Sequence, residues 1–272
     1  RRGVPLDETF AVEIRRRHAI LRCWPAGLSL LCEKRLDMVF HSTNGTNPIN
    51  TGNVGGVIFA DVIENRKQVE SALAAGTPCL IINNKADDLD VSYIAVDNVA
   101  GGMIAGDYFI SLGHKRIATV TGNLNTQAGL NRHDGFKKIL AEKKIDLPEE
   151  YVFKGDYSRR CARTAGETFL KLPHPPTAVF AASDEMALEL ITMIMEKGLK
   201  VPEDISVIGF DDNPACLFGP VALTTVKQPL FKMAEESVYL LSSMIAGKEK
   251  ARTRKVLIPE LVIRESCSRF RS

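Results

Sequence analysis

At 272 residues, with 45% apolar and 25% charged side chains, the chain has material for one large or two medium globular domains with a sizeable core. A net charge of +2 is too small to argue for a nucleic-acid surface by itself, and no apolar run approaches the ~18 residues of a membrane span. The opening stretch RRGVPLDETFAVEIRRR has basic residues but no apolar leader core, so no secretory signal is expected in this chain, although a mature exported protein would also lack one.

The first ~50 residues are the least regular. Gly3 to Asp7 is the best candidate for a first strand, Phe10 to Leu21 reads as a helix, and Leu28 to Cys32 as a strand. From Arg35 to Asn53 the periodicity is weak and ends in polar turn residues. From Val54 onward, strand-like and helix-like segments alternate. The predicted strands are Val57–Ala60, Cys79–Ile82, Tyr93–Val96, Arg116–Thr121, Tyr151–Lys154, Ala178–Ala181 and Ile205–Phe210. The predicted helices are Glu64–Ala75, Ala100–Leu112, Asn131–Lys143, Arg160–Leu172 and Asp184–Lys197, several of them stopped by glycine at 76, 113 and 198. A short strand is expected in the Leu223–Pro229 stretch, then a helix over Lys232–Ala246 and a charged turn over Lys248–Lys255. Val256 to Arg264 reads as one strand bent by Pro259. Regular β-α alternation of this kind implies an α/β fold, with parallel sheets and helices on both faces.

Six cysteines stand at 23, 32, 79, 161, 216 and 267, with no C-x-x-C pair and no metal-ligand spacing. Reduced thiols in a cytoplasmic protein are the expectation, and no metal or cofactor is expected. Gly101, Gly102 and Gly106 form GGxxxG, which is not the dinucleotide fingerprint, and close packing of a helix on the sheet is the reading preferred. There is no P-loop, G-x-S-x-G or H-E-x-x-H, and the five histidines show no ligand spacing. Nothing assembles into a catalytic constellation, so the chain is read as a non-enzyme.

Five positions stand out on chemistry. Asp211 and Asp212 end the buried Ile205–Phe210 run, at the strand carboxyl edge where open parallel sheets bind ligands. Asp211 would either cap the following turn or accept hydrogen bonds from ligand hydroxyls or amines. Arg132 is placed in a first helical turn, where the macrodipole disfavours a cation. It is either an exposed arginine or a fork of donors for sugar hydroxyls or a carboxylate. Tyr157 follows Gly155-Asp156 at another strand end, as a half-buried surface aromatic or as a face for a ring. Ser183 precedes Asp184 at a helix start and reads as an N-cap, a place that can also face a ligand.

The ordered set VDNVAGGMIAGDYFISLGHKRIATVTG, RHDGF, GDYS, PPTAVFAASDEMAL, VPEDISVIGFDD, LTTVKQP and PELVIRES resembles the effector-binding domain of LacI/GalR-type transcription repressors, and the match covers about residues 54 to 267. That resemblance implies a fold like type I periplasmic sugar-binding proteins, with two Rossmann-like lobes and the effector in the cleft between them. On the family pattern, the lobes are expected at 1–112 plus 230–255 and at 113–229 plus 256–272. Arg132 then matches the arginine that contacts effector hydroxyls, Asp211 the acidic contact, Tyr157 the aromatic against the ligand, and Gln228 a polar cleft residue. Ser183 stands where many members have asparagine, and Asp97 is expected to face the cleft near the lobe junction. The family's helix-turn-helix and hinge helix are expected to be absent here, with VPLDETFAVEI a degraded form of the usual first strand.

The resemblance therefore implies the sensing and dimerising core of a repressor that binds a small molecule, in the first place a sugar, acts as a homodimer and reaches operator DNA through a separate N-terminal domain. The rival from another class is a periplasmic sugar-binding protein of a transporter, with the same fold. A third, an enzyme on a Rossmann-like fold, lacks a nucleophile-base pair or cofactor fingerprint.

Overall fold

The computed structural model describes residues 54–60, 66–249 and 251–270 in full and the backbone of 9–13 and 37–41. The chain divides into two compact units. The first holds residues 1–96 and 229–257, the second 97–228 and 258–272, so the chain passes between them three times.

The first unit is built on a six-stranded sheet. Its strands are β1 (Thr9–Glu13), β2 (Asp37–His41), β3 (Gly56–Phe59), β4 (Cys79–Asn83), β5 (Ser92–Val96) and β11 (Arg254–Leu257), in the order β11-β5-β4-β3-β1-β2. Every pairing in it is parallel. Helix α1 (Arg66–Ala74) covers one face through Val69 and Ala72, against Val57, Phe59 and Ile81. Helix α6 (Leu230–Ile245) covers the other through Met233, Val238 and Leu241, against Ile58, Leu80 and Ile82. Strands β3 and β4 are buried throughout their apolar residues, which is why they read as continuous apolar runs rather than alternations.

The expected helix over Phe10–Leu21 is overturned at its start, because Thr9–Glu13 is a strand between β2 and β3. Five residues, TFAVE, with two β-branched side chains, fit a parallel strand at least as well as a helical turn. Strand β2 was not anticipated. The proposed strands at Gly3–Asp7 and Leu28–Cys32 lie outside the described residues.

The second unit carries the sheet β12-β10-β9-β8-β6-β7, from β6 (Ile117–Val120), β7 (Val152–Phe153), β8 (Ala178–Ala181), β9 (Ser206–Asp211), β10 (Thr224–Lys227) and β12 (Glu260–Val262). Strands β6 to β10 are mutually parallel and only β12 runs against them. Alternation along β8 and β9 divides the core in two. Ala178, Phe180, Ile208 and Phe210 pack with α2 (Asn98–Ser111) and α3 (Gln127–Glu142). Val179, Ala181 and Val207 pack with α4 (Arg159–Phe169) and α5 (Asp184–Glu196).

Three expectations change here. The first passage between units falls at residues 96/97, not after 112, because α2 packs with α3 and the second sheet. The GGxxxG glycines serve helix-on-helix contact more than helix-on-sheet. A Cβ at Gly102 would overlap the backbone of Arg132 and Phe136 in α3, and one at Gly106 would strike Ile139, while Gly101 alone meets Phe210 of the sheet. Val256–Arg264 is two strands in two different sheets, with Pro259 between β11 and β12. Proline lacks the N–H that a continuous ladder needs, and the chain changes sheet at that point.

Candidate functional site

Because β6 to β10 are parallel, their carboxyl ends share one edge of the second unit. That edge gathers Thr121-Gly122 after β6, Gly155–Tyr157 after β7, Ala182-Ser183 after β8, Asp211 at the end of β9 and Gln228 after β10. Open parallel sheets bind ligands at this edge.

Arg132 is the hub. It is only 5% exposed, and it lies in the second turn of α3 rather than the first, since the helix begins at Gln127 behind the Thr126 cap. The macrodipole objection to its position therefore does not apply, and neither does the exposed-arginine alternative. Its Nε donates to Oδ1 of Asn98 at 2.8 Å and its Nη1 to the carbonyl of Ala182 at 2.7 Å. Nη1 also lies 3.5 Å from Oδ1 of Asp211. The guanidinium sits 3.6 Å from the centre of the Phe210 ring, a stacked cation–π contact.

Asp211 takes the other end of this pair. Its Oδ1 accepts from Nε2 of Gln228 at 2.6 Å. The Gln228 side chain is 6% exposed, yet its Oε1 is buried with no hydrogen-bond partner in the structure. A buried carbonyl oxygen without a donor costs free energy until one is supplied. Arg132, Asp211 and Gln228 thus come together as a polar cluster holding one unspent acceptor.

The other expected residues reach this cluster through their neighbours or not at all. Ser183 caps α5, accepting from the N–H of Met186 at 3.4 Å, and the residue before it supplies the carbonyl that Arg132 binds. Asp97 caps α2 through the N–H of Ala100 at 2.9 Å, and the residue after it is Asn98. Tyr157 has left-handed backbone, with φ 69°, and its ring lies where a Cβ on Gly122 would be. Its hydroxyl is buried without a partner, so it presents a second unspent polar atom on the same edge.

Sequence reasoning missed Asn98, Phe210 and Asp184. Asn98 had no motif to flag it. Phe210 was read only as strand core, although its place before Asp211 puts it under the arginine. Asp184 is fully buried; Oδ1 accepts from the Thr225 hydroxyl and Oδ2 from the N–H of Asn213 at 2.7 Å. Burial first, and the neighbouring Asp211 carboxylate second, push its carboxyl up to about 7. Asp212 is separately engaged, accepting from Nη2 of Arg264 at 2.6 Å. Among the described residues, no three His, Cys, Asp or Glu side chains are grouped so as to hold a metal ion, and no helix is long and apolar enough to cross a membrane. The arrangement is suited to hydrogen-bonding a polar ligand.

Comparison with known proteins matches residues 107–267 to the periplasmic binding protein-like domain. The probable HTH-type transcriptional repressor ExuR of Bacillus subtilis is 35% identical over 193 residues, covering 71% of this chain and 58% of the relative. The HTH-type transcriptional repressor CytR of Escherichia coli is 33% identical over 189 residues, covering 70% and 55%. The chain thus spans little more than half the length of these relatives. Among solved structures, the transcriptional regulator CelR–cellobiose complex superposes with a TM-score of 0.84 at 27% identity, over 95% of this chain and 84% of that one. A LacI family regulator from Enterococcus faecium with bound ribose gives 0.84 at 25%, over 97% and 100%.

Proposed function

Since the chain belongs to the periplasmic binding protein-like domain family, in the form carried by LacI-type transcriptional regulators, we propose that it is the effector-sensing core of a DNA-binding repressor. The effector is a small polyhydroxyl compound, in the first place a sugar, held at the carboxyl edge of the second unit. The observation that carries this reading is the Arg132–Asp211–Gln228 cluster, with the buried Oε1 of Gln228 left for a ligand donor. The carboxylate and the amide oxygen accept from hydroxyls, and Tyr157 offers an aromatic face beside a buried hydroxyl.

The relatives named are regulators, and solved neighbours carry cellobiose and ribose, which supports a sugar over other small molecules. A transport receptor draws no support from them, and none of them is an enzyme. In the intact protein, a homodimer, effector occupancy biases DNA binding only by the difference in effector affinity between two states.

The test is a thermal-shift screen against a panel of sugars and purines, followed by calorimetry on the ligand found. Asp211→Asn keeps the shape and the tolerance of left-handed backbone while removing the charge. Its affinity is expected to fall by at least about tenfold with the melting temperature retained. Wild-type affinity in Asp211→Asn would remove the site assignment, and a panel without any shift would remove the sugar reading.

A further inference from the structure

Asp211 and Asp212 both have left-handed backbone, with φ of 123° and 57°. Two consecutive non-glycine residues in that region are strained, and such strain persists only where the surroundings over-determine it. Those surroundings converge on Asp184. The N–H of Asn213 donates to its Oδ2 at 2.7 Å. The N–H of Asp212 donates to Oγ1 of Thr225 at 3.4 Å, and the Thr225 hydroxyl donates in turn to Oδ1 of Asp184 at 2.5 Å. The strand makes room for this, because a Cβ on Gly209 would overlap that same Oδ1.

An aspartate in the first turn of a helix ordinarily serves the helix end. Here Ser183 is the cap, and both oxygens of Asp184 are committed to the turn after β9 and to β10. The carboxylate is also fully buried, an arrangement that costs free energy unless its hydrogen bonds are satisfied.

We propose that Asp184, acting directly on Asn213 and through Thr225 on Asp212, is the positioning residue of the effector site: it clamps the 211–213 backbone in the strained form that brings the Asp211 carboxylate to Arg132 and Gln228. Asp184 does not touch the ligand. This deepens the reading of Asp211 as an effector contact and rests on it for its consequence, while the clamp itself is a property of the free protein.

The test therefore has a ligand-independent arm. Thr225→Val keeps the shape of the side chain and removes the hydroxyl; Thr225→Ser restores the hydroxyl; Asp184→Asn replaces one of the two acceptor oxygens with an amide donor. Amide hydrogen exchange at Asp212 and Asn213, followed by NMR, is expected to speed up by about tenfold or more in Thr225→Val and Asp184→Asn, and to return toward the wild-type rate in Thr225→Ser. Exchange of core amides in β8, away from the turn, serves as the control for global loosening. In the binding arm, calorimetry with D-ribose and with cellobiose is expected to show the same order, with Thr225→Val weaker by about tenfold and Thr225→Ser close to wild type.

Wild-type exchange at Asp212 and Asn213 in both Thr225→Val and Asp184→Asn overturns the clamp. So does a loss in Thr225→Val that Thr225→Ser fails to reverse, since that loss belongs to packing. A wild-type protein that binds neither sugar counts against the sugar reading alone, and the exchange comparison still decides the clamp.

Discussion

Arg132 is bound by three acceptors in the protein itself, so it is structural before it is functional. Arg132→Ala is expected to take a donor away from the Asn98 amide oxygen, the Ala182 carbonyl and the Asp211 carboxylate, lowering stability by about 2–4 kcal/mol in urea unfolding. Loss of binding in that variant would not by itself identify a ligand contact, which is why Asp211→Asn is the sharper probe. Titration separates two other residues. Nδ1 of His114 lies 2.9 Å from the Thr177 hydroxyl and Nε2 lies 3.1 Å from the Ser268 carbonyl; burial holds the ring below its usual 6.5. Its contribution is present above that value and is lost as pH falls through it, because the unfolded chain takes the proton first. Asp184 has the opposite sign: raised to about 7, it contributes below the ordinary carboxylate range and loses that contribution as pH rises through 7. Urea midpoints relative to wild type should show this. His114→Gln is expected to gain ground on wild type from pH 7.5 down to 5, and Asp184→Asn from pH 5 up to 8. The reverse order would refute both assignments.

Element by element, what the sequence disclosed depended on length and burial. The Ala178–Ala181 strand was read to the residue, because four buried apolar positions between polar turns leave one interpretation. Helix α3 was placed four residues late, since Gln127 to Leu130 lacks a strong apolar stripe and its start is set by the Thr126 side chain accepting from Gly129 at 3.1 Å. That small shift reversed the electrostatic argument about Arg132. The short strands β1 and β2 were lost because five-residue segments carry too little periodicity, β1 at the start of an apparent helix and β2 in a stretch with weak periodicity throughout. The α2–α3 contact was invisible, because glycine spacing shows that something approaches closely but not which element does. Gly102→Ala tests that contact. Its methyl group would meet the α3 backbone at Arg132, so a loss of about 2–3 kcal/mol in stability and a displaced arginine are expected, read by urea unfolding and by weakened effector binding.

For the whole molecule, family wording foretold the α/β class and a two-part division, while the points of passage had to come from the structure. Pro259 was legible as an interruption; that the residues on its two sides serve different sheets was not, since local pattern carries no long-range pairing. A homodimer is the expected assembly. Leu217 and Phe218 are exposed apolar side chains, Phe218 being 83% exposed at the end of a short turn, and we propose them as part of its interface. Sedimentation equilibrium should find two chains, with Phe218→Asp shifting the distribution toward one. A wild-type monomer at micromolar concentration would contradict this.

The threefold passage of the chain also bears on how the protein is made. When synthesis has reached residue 250, neither sheet is complete: the first still lacks β11 and the second lacks β12. Ser266, which accepts from the N–H of Thr224 at 2.8 Å and donates to the Val207 carbonyl at 2.6 Å, has not yet been added. Both halves must therefore wait, with β5 and β10 each short of a neighbour, until residues 254–266 have been made. A nascent chain stalled at that point should engage chaperones and resist neither protease nor aggregation, whereas exposure of residues 254–266 supplies the missing strand of both sheets together.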